Sequence, residues 1–408
     1  MKILYFHQHF GTPSGSSGSR SYEFATRLIK KGHEVVMVCG SMINCTTGLE
    51  GPFTRGMRHG KVDGIDVIEF DLPYANKQSF IKRTWQFFKF AIRSTKIALF
   101  ADYDLLFATS TPLTAGIPGI FAKLFRGKPF VFEVRDLWPE LPREMGVIKN
   151  PLILSLMDVL EWISYHTASG LVGLSPGIVK GIERRGIASD RIVMIPNGCD
   201  FDIFSDKSIV RKRPEFASDK DLLATFTGSH GLANGLDAVL DAAAVLKKRN
   251  RNDIKFLFIG DGMLKPRLEK RAKDEGLANC QFMAPVPKRE LAAIQKGADV
   301  GLMILSNVPA FYYGTSPNKF FDYIATGLPV LNNYLGWLAG LIKENNCGMA
   351  VEPDQPVAFA DALIYMADHK DELSKMGHHA RVLAEREFSR DKLADDFMSF
   401  LETVYARK

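Results

Sequence analysis

Cysteine is scarce in this 408-residue sequence: Cys39, Cys45, Cys199, Cys280 and Cys347 are all there are, and no two stand at Cys-x-x-Cys spacing. An odd, scattered set indicates neither a disulfide framework nor a zinc site, and leaves reduced cytosolic thiols as the expectation. No apolar run reaches the roughly 18 residues of a spanning helix. The opening residues Met1-Lys2-Ile3-Leu4-Tyr5-Phe6 lack the apolar stretch of a secretory signal. The sequence therefore predicts a chain that stays inside the cell and does not cross a membrane. Charge of one sign is also limited. A net +6, from 52 basic and 46 acidic residues, is too small to argue for nucleic acid as a partner.

What is present is a steady alternation. Short β-branched runs (Ile3–Phe6, Glu34–Cys39, Val67–Phe70, Leu105–Ala108, Phe130–Glu133, Gly170–Leu174) are separated by amphipathic segments such as Arg20–Lys31, Phe80–Phe100 and Pro112–Phe125. That rhythm predicts βαβ units and a parallel sheet. It starts again at Ala224–Thr227 and continues through Lys255–Ile259, Cys280–Met283, Val300–Ile304 and Pro329–Leu331. The length is that of two domains of about 200 residues each. The boundary is placed after Ile195-Pro196-Asn197-Gly198-Cys199-Asp200, giving domains 1–201 and 202–390 and a terminal helix, 391–408, expected to pack back on the first domain. Two open α/β sheets predict ligand sites at the carboxyl ends of their strands, facing a cleft between the domains.

Two stretches carry chemistry. Gly11-Thr12-Pro13-Ser14-Gly15-Ser16-Ser17-Gly18-Ser19-Arg20 joins the first strand to the first helix. Its small residues let a backbone approach a ligand closely, and the free amides of the helix start favour an anion. It has neither the G-x-G-x-x-G spacing nor a P-loop lysine, so a phosphate or sugar contact at Gly15, Ser16, Ser17 and Gly18 stands beside a plain surface loop capped by Ser19. The second stretch is Gly314-Thr315-Ser316-Pro317-Asn318-Lys319-Phe320-Phe321-Asp322-Tyr323-Ile324-Ala325-Thr326-Gly327-Leu328-Pro329-Val330. Ser316 is expected as the N-cap and Pro317 as the first helical residue. Amides at that helix start would face a diphosphate, and Lys319 adds a point charge. Asp322 shares their face and could accept hydrogen bonds from ribose hydroxyls. A capped helix with a surface Lys–Asp pair is the plainer alternative.

This second stretch resembles the donor-binding segment of retaining glycosyltransferases of family 4, which have the GT-B fold. The family's Glu-x7-Glu motif opens the helix before "A-x-G-x-P-V"; Asp322 falls at its second acidic position and Gly314 at its first. The Ser-Pro-Asn-Lys version resembles fucosamine-type transferases of O-antigen and capsule assembly. Ile195-Pro196-Asn197-Gly198 through Asp200 resembles the family's "P-N-G-x-D" hinge, and Phe258-Ile259-Gly260-Asp261-Gly262 its "G-x-G" turn. Gly228-Ser229-His230-Gly231 sits where many relatives carry an Arg and a Lys for the diphosphate, so Lys319, with Lys265 or Arg267, is the candidate replacement charge. Phe132-Glu133-Val134-Arg135-Asp136-Leu137-Trp138-Pro139-Glu140 resembles the "H-D-x-x-P" segment, with Arg135 where His is common.

The resemblance implies a metal-independent, retaining transfer with no cofactor. The donor would be a nucleotide sugar, expected to be a UDP-linked N-acetyl-hexosamine or deoxy-amino sugar. Donor contacts would come from Gly15, Ser16, Ser17, Gly18, Gly228, Ser229, Lys265, Ser316, Pro317, Asn318, Lys319 and Asp322. Acceptor contacts would come from Arg20, Arg135, Asp136, Trp138 and Glu140, and the chemistry from Arg135, Asp136 and Lys319. A structural ion pair beside a packed tryptophan is the alternative at Arg135–Asp136. Two Asp-x-Asp triplets, Asp102-Tyr103-Asp104 and Asp200-Phe201-Asp202, are read as chance and hinge capping rather than as metal sites.

Between Leu72 and Ala101 six residues are basic and none is acidic. At about 100° per residue Lys82, Lys89, Arg93 and Lys96 fall within about a 60° arc. Phe80, Ile81, Phe87, Phe88, Ala91, Ile92 and Leu99 fall opposite, while Phe90 and Ile97 lie beside the cations, where they would face solvent. Such a face reads as one drawn to an anionic membrane surface, where a polyprenyl-diphosphate-linked glycan would be the acceptor, or else as an ordinary solvated helix face. The expected place is the inner face of the plasma membrane, in bacterial surface polysaccharide synthesis. A nucleotide-sugar 2-epimerase and an inactive sugar-nucleotide-binding scaffold are the competing readings; the basic helix speaks against the first, and Gly314 keeps the second open.

Overall fold

Alternation along the first strand, β1 (Lys2–Phe6), sends Leu4 and Phe6 into one hydrophobic cluster and Ile3 and Tyr5 into another. A strand covered on both faces is the signature of a parallel sheet between helical layers. The computed structural model describes residues 1–15, 19–42, 46–74 and 78–407. It divides into two α/β units. The first comprises Met1–Pro196, Gly314–Ser316 and Arg390–Lys408, the second Asn197–Tyr313 and Pro317–Ser389. The sequence boundary at 201/202 thus compares with a structural division between Pro196 and Asn197.

In the first unit β2 (Glu34–Met42), β3 (Met57–Val62), β4 (Ile65–Tyr74), β5 (Leu105–Thr109), β6 (Phe130–Val134), β7 (Gly170–Gly173) and β8 (Ile192–Met194) join β1. Their order is β3-β4-β2-β1-β5-β6-β7-β8. Every described pairing is parallel except β3 with β4. The β3–β4 hairpin, absent from the sequence reading, closes through Asp63 (φ 48°) and Gly64 (φ 86°). An Asp-Gly pair is suited to left-handed turn positions of that kind. On one side of the sheet the helix Arg20–Lys30 packs against the helix Arg390–Ala406. Phe397 of the latter stacks on Phe24 at 4.8 Å and meets Phe107 edge-on at 4.9 Å. On the other side lie the helices Phe80–Phe100, Ile117–Arg126 and Pro151–Thr167, the middle one packed against both of the others.

The second unit repeats the plan. Its strands are β9 (Leu222–Thr227), β10 (Ile254–Ile259), β11 (Cys280–Met283), β12 (Val300–Met303), β13 (Val330–Asn332) and β14 (Gly348–Ala350). They form an all-parallel sheet in the order β11-β10-β9-β12-β13-β14. In β10, Phe256 and Phe258 enter one cluster and Leu257 and Ile259 the other. Both units are therefore open α/β sheets, the second all parallel and the first parallel but for its β3–β4 edge, the fold class the sequence predicts.

Candidate functional site

In the first unit the carboxyl ends of β1, β5 and β6 gather polar side chains. His7-Gln8-His9 follow β1, Ser110-Thr111 follow β5, and Arg135-Asp136 follow β6. The loops are tied together: the Arg135 amide donates to Ser110 Oγ (2.9 Å), and Thr111 Oγ1 donates to Asp136 (3.3 Å). Arg135 Nη1 lies 3.4 Å from His7 Nε2. Burial, and after it the Arg135 charge, hold the His7 imidazole well below its ordinary pKa and bring His9 down to about 4. Both rings are therefore neutral. Burial pushes the Asp136 carboxyl up, with Arg135 and Thr111 opposing. His7 Nδ1, both ends of the Gln8 amide, His9 Nδ1 and Trp138 Nε1 are buried without a hydrogen-bond partner among the described residues. Buried polar atoms left unpaired at strand carboxyl ends are where a polar ligand would complete the bonding.

Arg20 is placed differently from the acceptor role expected of it. It is buried and donates to Glu133 through Nε (3.0 Å) and Nη2 (2.8 Å). It also donates to the carbonyls of Pro196 (2.5 Å) and Ile195 (2.7 Å). Burial alone would raise the Glu133 carboxyl; the Arg20 and Arg135 charges, with bonds from Arg20 and Thr109, outweigh it and hold it low. Arg20 is a fastener within the fold, its guanidinium spent on protein acceptors. Glu140 is engaged too, in an ion pair with Arg184 (3.0 Å).

In the second unit two glycine turns lean on each other. Gly228 (φ 135°) ends β9 and Gly260 (φ 152°) ends β10; a Cβ on Gly260 would lie 1.9 Å from the Gly228 carbonyl oxygen. His230 donates its amide to Asp261 O (2.9 Å) and accepts from the Leu264 amide (3.0 Å). Its ring is fully buried with neither nitrogen paired among the described residues. Burial first, then the charges of Lys265 and Lys319, bring it down to about 4.

Against the Gly228 turn stands the helix Asn318–Thr326. Pro317 is extended (ψ 131°), so the helix opens at Asn318 with Pro317 as its N-cap, one residue later than the Ser316 cap expected from sequence. Pro317 itself supplies no side-chain cap. Gly327 in the left-handed conformation (φ 79°) ends it, as glycine commonly does. Tyr323 fixes its position: the Thr227 amide donates to the Tyr323 hydroxyl (3.0 Å), and Gly301 leaves room for the ring, which a Cβ there would meet at 2.5 Å. This brings Lys319 beside Gly228, whose absent Cβ would lie 3.4 Å from Lys319 Cε. Lys319 Nζ donates to Asn234 Oδ1 (2.7 Å) and sits 4.2 Å from the centroid of Phe226. Among the described residues no carboxylate pairs with it. Desolvation lowers its pKa to about 7. Asp322, one turn on, is buried.

The structure thus brings Gly228, Lys319, Asn318 and Asp322 into one neighbourhood, with Ser229 next to Gly228 and joined to Asn234, whose side-chain amide donates to the Ser229 carbonyl (2.7 Å). Lys265 is close but occupied, donating to the carbonyls of Gly260 (2.9 Å) and Met283 (2.7 Å). Arg267 points away, paired with Asp237 on the surface. Gly15 precedes residues 16–18, and the expected contacts at Ser16, Ser17 and Gly18 lie outside the described residues. Of the Asp-x-Asp triplets, Asp104 accepts from the Lys2 amide (2.8 Å) and Asp200 pairs with Lys288 (3.6 Å). Sequence reasoning assigned no role to His7, Gln8, His9, His230 or Asn234. A signal existed for the first three, which directly follow the first strand of a parallel sheet.

The helix expected to face a membrane, Phe80–Phe100, is rotated from its expected setting. Phe90 is fully buried, packing edge-on against Phe70 of β4 (5.9 Å), and Ile97 is packed into the same cluster. Phe90 therefore does not face solvent beside the cations, and Ile97 is half-buried. Lys82, Lys89, Arg93 and Lys96 are exposed as expected. The reason is that the helix has neighbours on two sides, β4 and the helix Ile117–Arg126, so the flank carrying Phe90 and Ile97 is covered.

Comparison with known proteins comes from both halves of the chain. A family model described as "Glycosyl transferase 4-like domain" matches residues 15–198, and one described as "Glycosyl transferases group 1" matches residues 222–369. The chain is similar to WcaI of Escherichia coli (strain K12), named for a glycosyl transferase of colanic acid biosynthesis. The two are 24% identical over 98% of this chain and 99% of that one. In structure it is similar to sucrose-phosphate synthase of Thermosynechococcus elongatus (TM-score 0.77, 15% identity, 100% of both chains). It is also similar to Anabaena HepE, solved with UDP-glucose (TM-score 0.68, 14% identity, 99% and 100%). At such identities the structural likeness speaks for the fold, which is GT-B.

Proposed function

Because the chain is a glycosyltransferase of the family-4 type with the GT-B fold, we propose that it transfers a sugar from a UDP-linked donor, with retention and without a metal, to a glycan carried on a polyprenyl diphosphate. The setting is bacterial surface polysaccharide synthesis at the inner face of the plasma membrane. The observation that carries the donor reading is Lys319: a desolvated cation, with no carboxylate partner among the described residues, beside a glycine turn and at a helix N-terminus. A diphosphate supplies the missing anion. Asp322 holds the ribose hydroxyls, and Ser229 and Asn318 border the phosphates.

In the transfer, the bond between the anomeric carbon and the diphosphate oxygen breaks and the bond to the acceptor oxygen forms on the same face. The acceptor proton passes to the departing diphosphate. The protein's contribution is stabilising that leaving group and orienting both partners. Arg135, Asp136 and the unpaired atoms of His7, Gln8 and His9 orient the acceptor. The bacterial polysaccharide setting is supported by the resemblance to WcaI, and the UDP donor by the HepE complex.

The test is a titration of the purified chain in EDTA with UDP, GDP and their sugar conjugates, following thermal stabilisation and then release of nucleoside diphosphate with a lipid-linked acceptor. Stabilisation by UDP and acceptor-dependent release of UDP are expected. Interconversion of the free nucleotide sugar with no release would overturn the reading in favour of an epimerase, and binding without turnover in favour of a scaffold.

A further inference from the structure

The sequence singled out one helix of the first unit as a membrane face; the structure offers a broader surface. In the helix Phe80–Phe100 the residues beside the cations that do face solvent are Ile81, Trp85, Phe88 and Ile92, spaced i, i+4, i+7, i+11, with Ile92 66% exposed. The next helix, Ile117–Arg126, ends in Leu124 and Phe125, 67% and 71% exposed. The third, Pro151–Thr167, exposes Leu152, Leu156, Val159 and Trp162. The inner sides of all three helices feed one core cluster on one face of the sheet, and the middle helix packs against both others. Their outer sides therefore form one surface. Large apolar side chains gathered on it are more than the scattered exposure an ordinary surface tolerates.

The geometry points to this three-helix surface as a platform that docks on an anionic lipid bilayer, with Trp85, Leu124, Phe125 and Trp162 entering the headgroup boundary. Charge decides between a bilayer and a second copy of the chain. The first two helices contain seven basic residues and no acidic one; Arg126 is spent on the carbonyls of Ala98 and Ala101, Arg83 and Lys123 are half-buried, and Lys82, Lys89, Arg93 and Lys96 are exposed. The acids of the third are already neutralised, Asp158 by Arg143 (2.9 Å) and Arg185 (2.7 Å), and Glu161 by Arg185. A two-fold dimer through this face would set these cations against their own copies. Anionic headgroups complement them, and the apolar residues between them suit the acyl boundary. The platform also borders the acceptor-side residues: Phe87, on the same first helix, stacks on Tyr74 (5.7 Å) and lies 6.3 Å from His9. A bilayer on this surface therefore lies close to the group that would orient a lipid-borne acceptor. The platform rests on that acceptor reading for its purpose, though not for its physics.

The experiment is co-sedimentation of the full chain with vesicles of phosphatidylcholine alone and of phosphatidylcholine with phosphatidylglycerol, with tryptophan emission recorded in parallel. Binding at least about tenfold stronger to the anionic vesicles, with a blue shift, is expected. Combining Leu124→Ser, Phe125→Ser and Trp162→Ser should weaken it about tenfold or more, with Tm and the UDP response unchanged. Combining Lys82→Glu, Lys89→Glu and Lys96→Glu should remove the preference for anionic lipid. Equal binding by the serine variant, no vesicle binding by the parent chain, or a dimer in sedimentation velocity that the serine variant dissolves would each overturn the platform. Vesicle binding without any UDP response would instead count against the donor site and leave the platform standing.

Discussion

Each unit holds a cation near the carboxyl ends of parallel strands, Arg20 buried and Lys319 half-buried, and the two are treated in opposite ways. In the first, Arg20 meets Glu133 and two backbone carbonyls. In the second, Lys319 meets a neutral amide and an aromatic face, and desolvation lowers its pKa to about 7. A cation already matched by the fold contributes to structure. One left partly desolvated beside a glycine turn is held in readiness for an anion from outside. The same chemistry thus separates a structural residue from a ligand-seeking one, and the separation comes from the neighbours.

The strongest break of this contrast is Glu133→Gln, which strips the carboxylate from a buried guanidinium. A loss of about 3–5 kcal/mol is expected, read as a fall in Tm on the order of 10 °C. Next is Lys319→Met, which keeps the aliphatic stem. It should leave the fold intact and weaken UDP binding by about 10- to 100-fold in calorimetry, the scale of a charge-assisted bond. A pH series sharpens the point. A cation whose pKa in the free protein is about 7 is charged below that pH, and a bound diphosphate raises its pKa. UDP affinity should therefore be level below about pH 7 and fall, by at most about tenfold per unit, above it. The Lys319→Met chain should lose that slope. The smallest effect belongs to Arg267→Ala. Its partner Asp237 is on the surface, so stability should move by no more than about 0.5 kcal/mol and UDP affinity should not move.

The sequence displayed the βαβ rhythm clearly because strands buried on both faces leave continuous apolar runs. It concealed the β3–β4 hairpin, whose first strand, Met57-Arg58-His59-Gly60-Lys61-Val62, lies at the sheet edge and is mostly polar. The Asp63-Gly64 turn was the available signal. Periodicity found the cations of the helix Phe80–Phe100, yet it placed the apolar flank on the wrong side. A helical wheel shows which residues share a face and is silent on which flank a neighbour will cover. Arg20 was beyond reach for another reason: its partner Glu133 is 113 positions away and its carbonyl acceptors more than 170. Lys319 was legible because a helix start, a lysine and a following Gly-Leu-Pro lie within a dozen residues, although the helix opens one residue later than read.

The helix Arg390–Ala406 has a consequence for how the chain is made. Its Phe397 fills the core of the first unit between Phe24 and Phe107, and Leu393, Leu401 and Val404 join the same cluster. The ribosome produces those residues only after every residue of the second unit. Domains ordinarily fold in the order in which they emerge. Here the unit begun first is completed last, and until then Phe24 and Phe107 wait beside an open apolar slot.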